Sequence, residues 1–283
     1  MTSPKHLLNT SNIRAKKKLG QHFLTDQSII EKMLSGLGLS KHHTVLEIGP
    51  GLGALTIPLC RVANKVYAIE KDKQVIPLLQ TQLDIHHINN IEIIEQNFLN
   101  INIADFVENT EKIVVIGNLP YYLASQILIK IVESRDCIHS AMVMIQKEMA
   151  ERILANPNTK DYCRLSVFIQ YYSKISHIIR VPSIKFFPKP KIDSDVILLT
   201  FYEEIKYKAL NEHVLFQLVK AAFGTRRKTL KNALRISELE ISDEQINEMF
   251  TLGDIDPLRR AESLSIDEFV RLSNIMCQLT SCF

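Results

Sequence analysis

The sequence predicts an α/β protein: a mostly parallel sheet with an antiparallel edge, followed by a small all-helical domain. Three observations predict it. Short runs rich in Val, Ile and Leu alternate with helix-length amphipathic segments up to residue 154, the pattern of a parallel sheet with right-handed crossovers. Two further strand-like segments then follow with no helix between them, as in an antiparallel pair. From residue 203 onward the strand signal stops and only helical spacing remains.

The elements follow in order. Residues 1–15 are polar and basic and read as a flexible leader. Over 26–37, Ile29, Ile30, Met33, Leu34 and Leu37 recur at helical spacing. Residues 44–48 are the first strand, 52–62 a helix and 65–69 the second strand. A helix over 72–83 takes Asp72 as its cap, and Pro77 requires either the first turn or a kink. Residues 91–94 and 112–117 are the third and fourth strands, and a helix over 124–132 follows. The fifth strand, 141–145, leads into a helix over 147–154. Residues 173–181 and 196–201 form the antiparallel edge, joined by a long loop with three prolines. Helices are expected at 213–223, 229–234, 243–250 and 265–279. The chain thus divides into a leader (1–15), a sheet domain (16–204) and a helical domain (205–283).

Composition narrows the function classes. The 283 residues are 46 % hydrophobic and 23 % charged, as in soluble globular proteins. No run approaches the length of a membrane span, and the polar amino terminus is not a secretory signal. The cysteines Cys60, Cys137, Cys163, Cys277 and Cys282 are odd in number and lack a CxxC pair. Neither a disulfide framework nor a zinc site is indicated, which suits a reducing cytoplasm. The pairs His42-His43 and His86-His87 have no partner ligands at zinc spacing, so no metal is expected. A net charge of +3 does not establish a nucleic-acid partner, but the charge is clustered. Arg14, Lys16, Lys17 and Lys18 form one group, Lys185, Lys189 and Lys191 a second, and Arg226, Arg227, Lys228 and Lys231 a third. Each reads either as a solvated surface or as a phosphate-binding footprint.

Two segments carry chemistry. Asn118-Leu119-Pro120-Tyr121 closes the fourth strand at its carboxyl end, where open α/β sheets bind ligands. An amide and backbone carbonyls can accept hydrogen bonds from an exocyclic amine, proline holds them in place, and tyrosine offers a stacking face for an extruded base. The same four residues also suit an ordinary turn. Glu47-Ile48-Gly49-Pro50-Gly51-Leu52-Gly53-Ala54 follows the first strand and opens a helix. Gly49, Gly51 and Ala54 satisfy the loose dinucleotide fingerprint, and Glu70 at the end of the second strand can bind both hydroxyls of a ribose. Three features favour S-adenosylmethionine over a nicotinamide cofactor. Glu47 suits an ammonium group better than a pyrophosphate, the third glycine comes one residue early, and the fourth strand ends in a base receptacle. Asn97, after the third strand, either meets an adenine ring or is a turn residue, and Gly20-Gln21-His22-Phe23-Leu24 either folds over the ligand or is a plain helix lead-in.

With these segments in view, the chain resembles the ribosomal RNA adenine dimethyltransferases from residue 16 to 279. The resemblance rests on LGQHFL at 19–24, EIGPGLGALT at 47–56, IE at 69–70 and GNLPYYLAS at 117–125. QKEMAERI at 146–153, RLSVFIQYY at 164–172, FFPKPKIDSDV at 186–196 and AAFGTRRKTLKNAL at 221–234 extend it. It implies a Rossmann-like class I methyltransferase sheet, with a helical domain that binds RNA. It also implies S-adenosyl-L-methionine as cofactor and dimethylation of adenine N6 in small-subunit ribosomal RNA. By motif, His22, Leu24, Gly49, Gly51, Glu70, Asn97 and Asn118 are expected at the cofactor. Asn118, Leu119, Pro120 and Tyr121 are expected at the target base, with Phe186 on its opposite face. Lys189, Lys191, Arg226, Arg227 and Lys228 are expected at RNA phosphates. The implied setting is cytoplasmic, on the immature small subunit, by a monomer. A large-subunit RNA methylase and a non-catalytic assembly factor on the same scaffold remain open. His22 and Asn97 depart from the family's commonest residues, asparagine and aspartate, and the loss of a charge at Asn97 is expected to weaken cofactor binding.

Overall fold

The computed structural model describes residues 3–107, 111–225 and 227–280, so Arg226 and Cys282 lie outside the described residues. These divide into two compact units, Met1–Ala150 with Lys174–Phe201, and Glu151–Ser173 with Tyr202–Phe283.

The first unit begins with helix α1 (Pro4–Thr10), started by Pro4 in its first turn and by the Ser3 hydroxyl, which accepts from His6 N at 3.3 Å. The expected flexible leader is therefore corrected: Leu8 is buried in a cluster with Phe23, Leu52 and Val75, which anchors the segment. Strand β1 (Phe23–Leu24) precedes α2 (Gln27–Leu37), which Asp26 caps and which ends at a left-handed Gly38. Then come β2 (Thr44–Ile48), α3 (Thr56–Val62), β3 (Lys65–Glu70), α4 (Ile76–Ile85) and β4 (Ile91–Glu95). Helix α3 starts later than the apolar pattern suggests, because the glycine-rich turn uses residues 49–53. Helix α4 does not take Asp72 as its cap. It begins after Val75 with Pro77 in its first turn, and Asp72 is engaged elsewhere.

After β4 come β5 (Ile113–Asn118), α5 (Ala124–Glu133), β6 (Ile138–Gln146), α6 (Lys147–Leu154) and α7 (Arg164–Tyr172). The sheet is completed by β7 (Ser173–Val181) and β9 (Ser194–Phe201), with β8 (Phe186–Phe187) between them in sequence. Its order is β4-β3-β2-β5-β6-β9-β7, with β2 parallel to both β3 and β5, and β9 antiparallel to β6. Strands β2, β3, β5 and β6 are buried almost throughout, which is why they read as continuous apolar runs. Strand order reverses between β2 and β5, with β3 and β4 added on one side and β5 and β6 on the other, which makes their carboxyl tips the topological switch point. A separate ribbon, β1 with β8, pairs Phe23 with Phe187 and Leu24 with Phe186. Two residues per strand left no periodicity to read.

The second unit holds α7 with α8 (Glu212–Ala222), α9 (Leu230–Arg235), α10 (Asp243–Gly253) and α11 (Ile266–Thr280). The sequence places residues 151–173 in the sheet domain, whereas the structure groups them with these helices. Aromatic contacts are the reason: Phe168, Tyr171 and Tyr172 surround Phe216 of α8 at ring distances of 5.0, 5.6 and 5.7 Å. No helix among the described residues is long and apolar enough to cross a membrane.

Candidate active site

At the switch point a cleft is lined by Gly20–Leu24 of the lead-in, the 47–52 turn, Glu70, Asn97, Asn118 and Pro120. The turn after β2 is shaped by backbone. Gly49 and Gly51 have φ of +67° and +55°, a region side chains rarely adopt. Gly51 has a second reason to be glycine: a Cβ there would lie 2.9 Å from Phe23 Cε1, so the lead-in packs directly on it. Gly49 N donates to Ile69 O at 3.0 Å and Gly51 N to Glu70 Oε2 at 3.1 Å, which ties the turn to the tip of β3. Glu70 Oε1 accepts from Asp72 N at 2.8 Å. Burial raises the Glu70 pKa above the usual carboxylate range. Each of its oxygens keeps lone pairs for a ribose hydroxyl.

Glu47 is 1 % exposed, and its Oε2 has no hydrogen-bond partner among the described residues. Burial pushes its pKa up to about 8, and the nearby Glu70 carboxylate adds to the effect. A buried, unpartnered carboxyl on the wall of a cleft is costly unless a ligand completes it. The donor set fits S-adenosyl-L-methionine: Glu47 for an ammonium, Glu70 for ribose hydroxyls, and a glycine turn that leaves room between them. Asn97 lines the same cleft, and its Oδ1 accepts from Leu99 N at 3.2 Å.

The lead-in is held down from several sides. Asp72, 3 % exposed, accepts from Lys16 Nζ at 2.6 Å and Gln21 Nε2 at 2.7 Å. Burial alone would raise its pKa, but these two bonds outweigh it and the net shift is downward. Thr25 N donates to Lys185 O at 2.9 Å, and Lys185 pairs with Asp26, whose pKa falls to about 2, chiefly through that lysine. Neither Lys16 nor Asp72 was expected at the site. The motif LGQHFL contains Gln21, but Asp72 lies 51 residues away from it.

The tip of β5 is followed by Leu119, Pro120 and Tyr121, with Asn118 as its last residue. Asn118 Nδ2 donates to His22 O at 2.9 Å, which leaves Oδ1 as an acceptor. Leu119 is buried, its N–H donating to Met144 O at 3.0 Å. The Tyr121 hydroxyl meets Ser194 Oγ at 2.9 Å, and its ring stacks on His22 with centroids 5.7 Å apart and planes 22° apart. His22 Nδ1 is 2.7 Å from Pro188 O. His22 and Leu24 both line the cleft. Phe186 does not stand opposite Tyr121 as a free face. It is 4 % exposed and shares a core cluster with Leu24, Met144 and Val181, because its pairing with Leu24 in the β1–β8 ribbon turns it inward. Exposed Tyr122 lines the cleft and was not anticipated. Lys189, Lys191, Arg227 and Lys228 are exposed, as phosphate contacts require.

Residues 12–278 match the ribosomal RNA adenine dimethylase family. The chain is 44 % identical to the ribosomal RNA small subunit methyltransferase A of Desulforapulum autotrophicum, over 98 % of this chain and 97 % of that one. It is 41 % identical to the protein of the same name from Clostridium botulinum, over 95 % and 97 %. Among solved structures, a dimethyladenosine transferase from Plasmodium falciparum superposes with a TM-score of 0.76 at 25 % identity, covering 89 % of this chain and 96 % of that one. With the glycine turn, the two acidic residues, Asn118 and Pro120 gathered on one cleft, the chain belongs to the ribosomal RNA adenine dimethylase family and is a methyltransferase that uses S-adenosyl-L-methionine.

Proposed function

We propose that this enzyme dimethylates N6 of two adjacent adenosines near the 3′ end of small-subunit (16S) ribosomal RNA, and so takes part in small-subunit biogenesis. The carrying observation is the Asn118 amide, which lines the cofactor cleft with its Nδ2 committed to His22 O and its Oδ1 left to accept. Adenine N6 is a poor nucleophile because its lone pair is delocalised into the ring. Asn118 Oδ1 and the Leu119 carbonyl accept its two hydrogens and turn the lone pair toward the donor. Positioning of this kind removes several kcal/mol of barrier, roughly the effect of bringing reactants into near-attack geometry. S-adenosyl-L-methionine supplies an electrophilic methyl carbon. Pro120 keeps the turn rigid, and Tyr121 gives the extruded base a stacking face. Glu70 would hold the ribose, Glu47 the ammonium, Gly49 and Gly51 the methionine end and Asn97 the adenine, while His22 and Leu24 would close the cleft from the lead-in. The proton leaves to water after transfer, and the pocket readmits the monomethylated base for a second round.

Lys189, Lys191, Arg227 and Lys228, with Arg226 outside the described residues, bind RNA phosphates. Affinity for RNA therefore falls steeply with salt. The relatives' name supports the small subunit over the large one. The working form is a monomer in the cytoplasm that engages immature subunits and no membrane. Labelled methyl transfer to unmethylated small subunits, with the modified bases mapped, tests the whole reading. Two neighbouring dimethylated adenines are expected. Modification of large-subunit RNA alone would overturn the choice of substrate. Donor binding without transfer to either RNA would make the protein an assembly factor.

A further inference from the structure

We infer that Ser194 is a positioning residue for the acceptor base, acting through the Tyr121 hydroxyl. This rests on the reading of Tyr121 as the ring that stacks on the base.

Ser194 is fully buried at the start of β9, opposite Gln146 of β6, so its position is set by the sheet. The residue before it is tied twice: Asp193 Oδ1 accepts from Ser183 N at 2.8 Å and Asp193 O from Lys147 N at 3.1 Å. Its hydroxyl has one partner among the described residues, the Tyr121 hydroxyl at 2.9 Å. Burial raises the phenol pKa, so the group stays neutral and the contact is an ordinary hydroxyl–hydroxyl bond. On the other side His22 stacks on the Tyr121 ring and is itself held by Pro188 O. The segment between β7 and β9 thus reaches Tyr121 twice, through His22 from Pro188 near its middle and directly from Ser194 at its close. A stacking platform contributes to rate only if its plane is fixed before the base arrives. The two contacts leave the ring neither free to tilt nor free to slide.

The test is a mutant cycle on methyl transfer to unmethylated small subunits, with Ser194→Ala, Tyr121→Phe, the double variant and Tyr121→Ala. Either single change removes the same bond, and Tyr121→Phe leaves β9 untouched should Ser194→Ala disturb it. Each single change is expected to lower kcat by about three- to tenfold, the kinetic equivalent of one neutral hydrogen bond. The double variant should be no slower than the slower single, and donor affinity by calorimetry should stay within about twofold, because bonds to the cofactor are not involved. Losses that multiply in the double variant, or a parallel loss of donor affinity, would mean that Ser194 supports the fold and not the base. Wild-type kcat and KM in Ser194→Ala, with Tyr121→Ala crippled, would sink the role of Ser194 alone. Wild-type turnover in Tyr121→Ala would sink the stacking reading beneath it.

Discussion

At the tip of β2 the chain turns on Gly49 and Gly51, and the bonds that hold the turn come from the next strand over, Glu70 lying only 19 residues from Gly51. At the tip of β5 the turn is built from side chains held by partners far along the chain. Asn118 reaches His22 across 96 residues, and Tyr121 reaches Ser194 across 73. The donor side of the cleft is thus a local backbone device, and the acceptor side is assembled from three separate segments. The difference follows from what each side does. On the function proposed above, the cofactor would be met by backbone and two carboxylates. A base that must be oriented to within a narrow angle requires side chains locked from several directions.

The comparison can be broken most forcefully on the acceptor side. Asn118→Ala should lower kcat by about a thousandfold, because positioning supplies several kcal/mol, with RNA affinity in filter binding unchanged. Turnover near wild type would place the acceptor elsewhere. On the donor side, Gly51→Ala meets Phe23 at 2.9 Å in a left-handed backbone and should displace the lead-in, weakening donor binding about tenfold or more. Gly38→Ala has the same kind of φ, +59°, with nothing within 4 Å, and should cost about 1 kcal/mol of stability without touching donor affinity. Equal effects of the two on calorimetric donor affinity would show that Phe23 does not brace the turn.

A smaller effect is expected from Glu47→Gln, followed as melting temperature against pH without donor. The Glu47 carboxyl titrates at about 8 in the fold against its ordinary 4.5, so the folded chain keeps a proton that the unfolded chain releases in that window. Its stabilising contribution is complete below the unfolded value and is lost as pH rises through the folded one. Glutamine has no proton to lose, so the melting temperature of the variant should gain on wild type by several degrees as pH rises between the two values. Parallel curves would show that Glu47 is charged in the empty fold. The smallest effect is expected from Asn97→Asp, which retains the cap on Leu99 N and restores a charge-assisted acceptor. Donor affinity should tighten a few-fold, and an unchanged value would remove Asn97 from the adenine site.

Much of this was legible in residues alone. The buried strands announce themselves as unbroken apolar runs, Gly49 and Gly51 mark a left-handed turn, and Asn118-Leu119-Pro120-Tyr121 follows one of those runs directly. Asp26 and Thr229 lie just before the helices they cap, so their roles too were within reach of local pattern. Other features were not. Phe186 looks like a free aromatic beside two prolines, and only its pairing with Leu24 sends it into the core. Asp72 reads as a helix cap until Lys16 and Gln21 are seen to claim it.

What the chain determined by itself was the alternation of strands and helices, the left-handed glycine turn and the placement of Asn118 at the end of β5, because each depends on neighbours within a few tens of residues. Only the tertiary structure decided that α1 is anchored through Leu8, that residues 151–173 join the helical unit, and that His22 and Ser194 flank Tyr121. Those outcomes depend on contacts between segments as far apart as His22 and Tyr121, 99 residues along the chain. Sequence spacing carries no record of such contacts, since chain closure over that distance is set by which buried surfaces fit and not by any local preference.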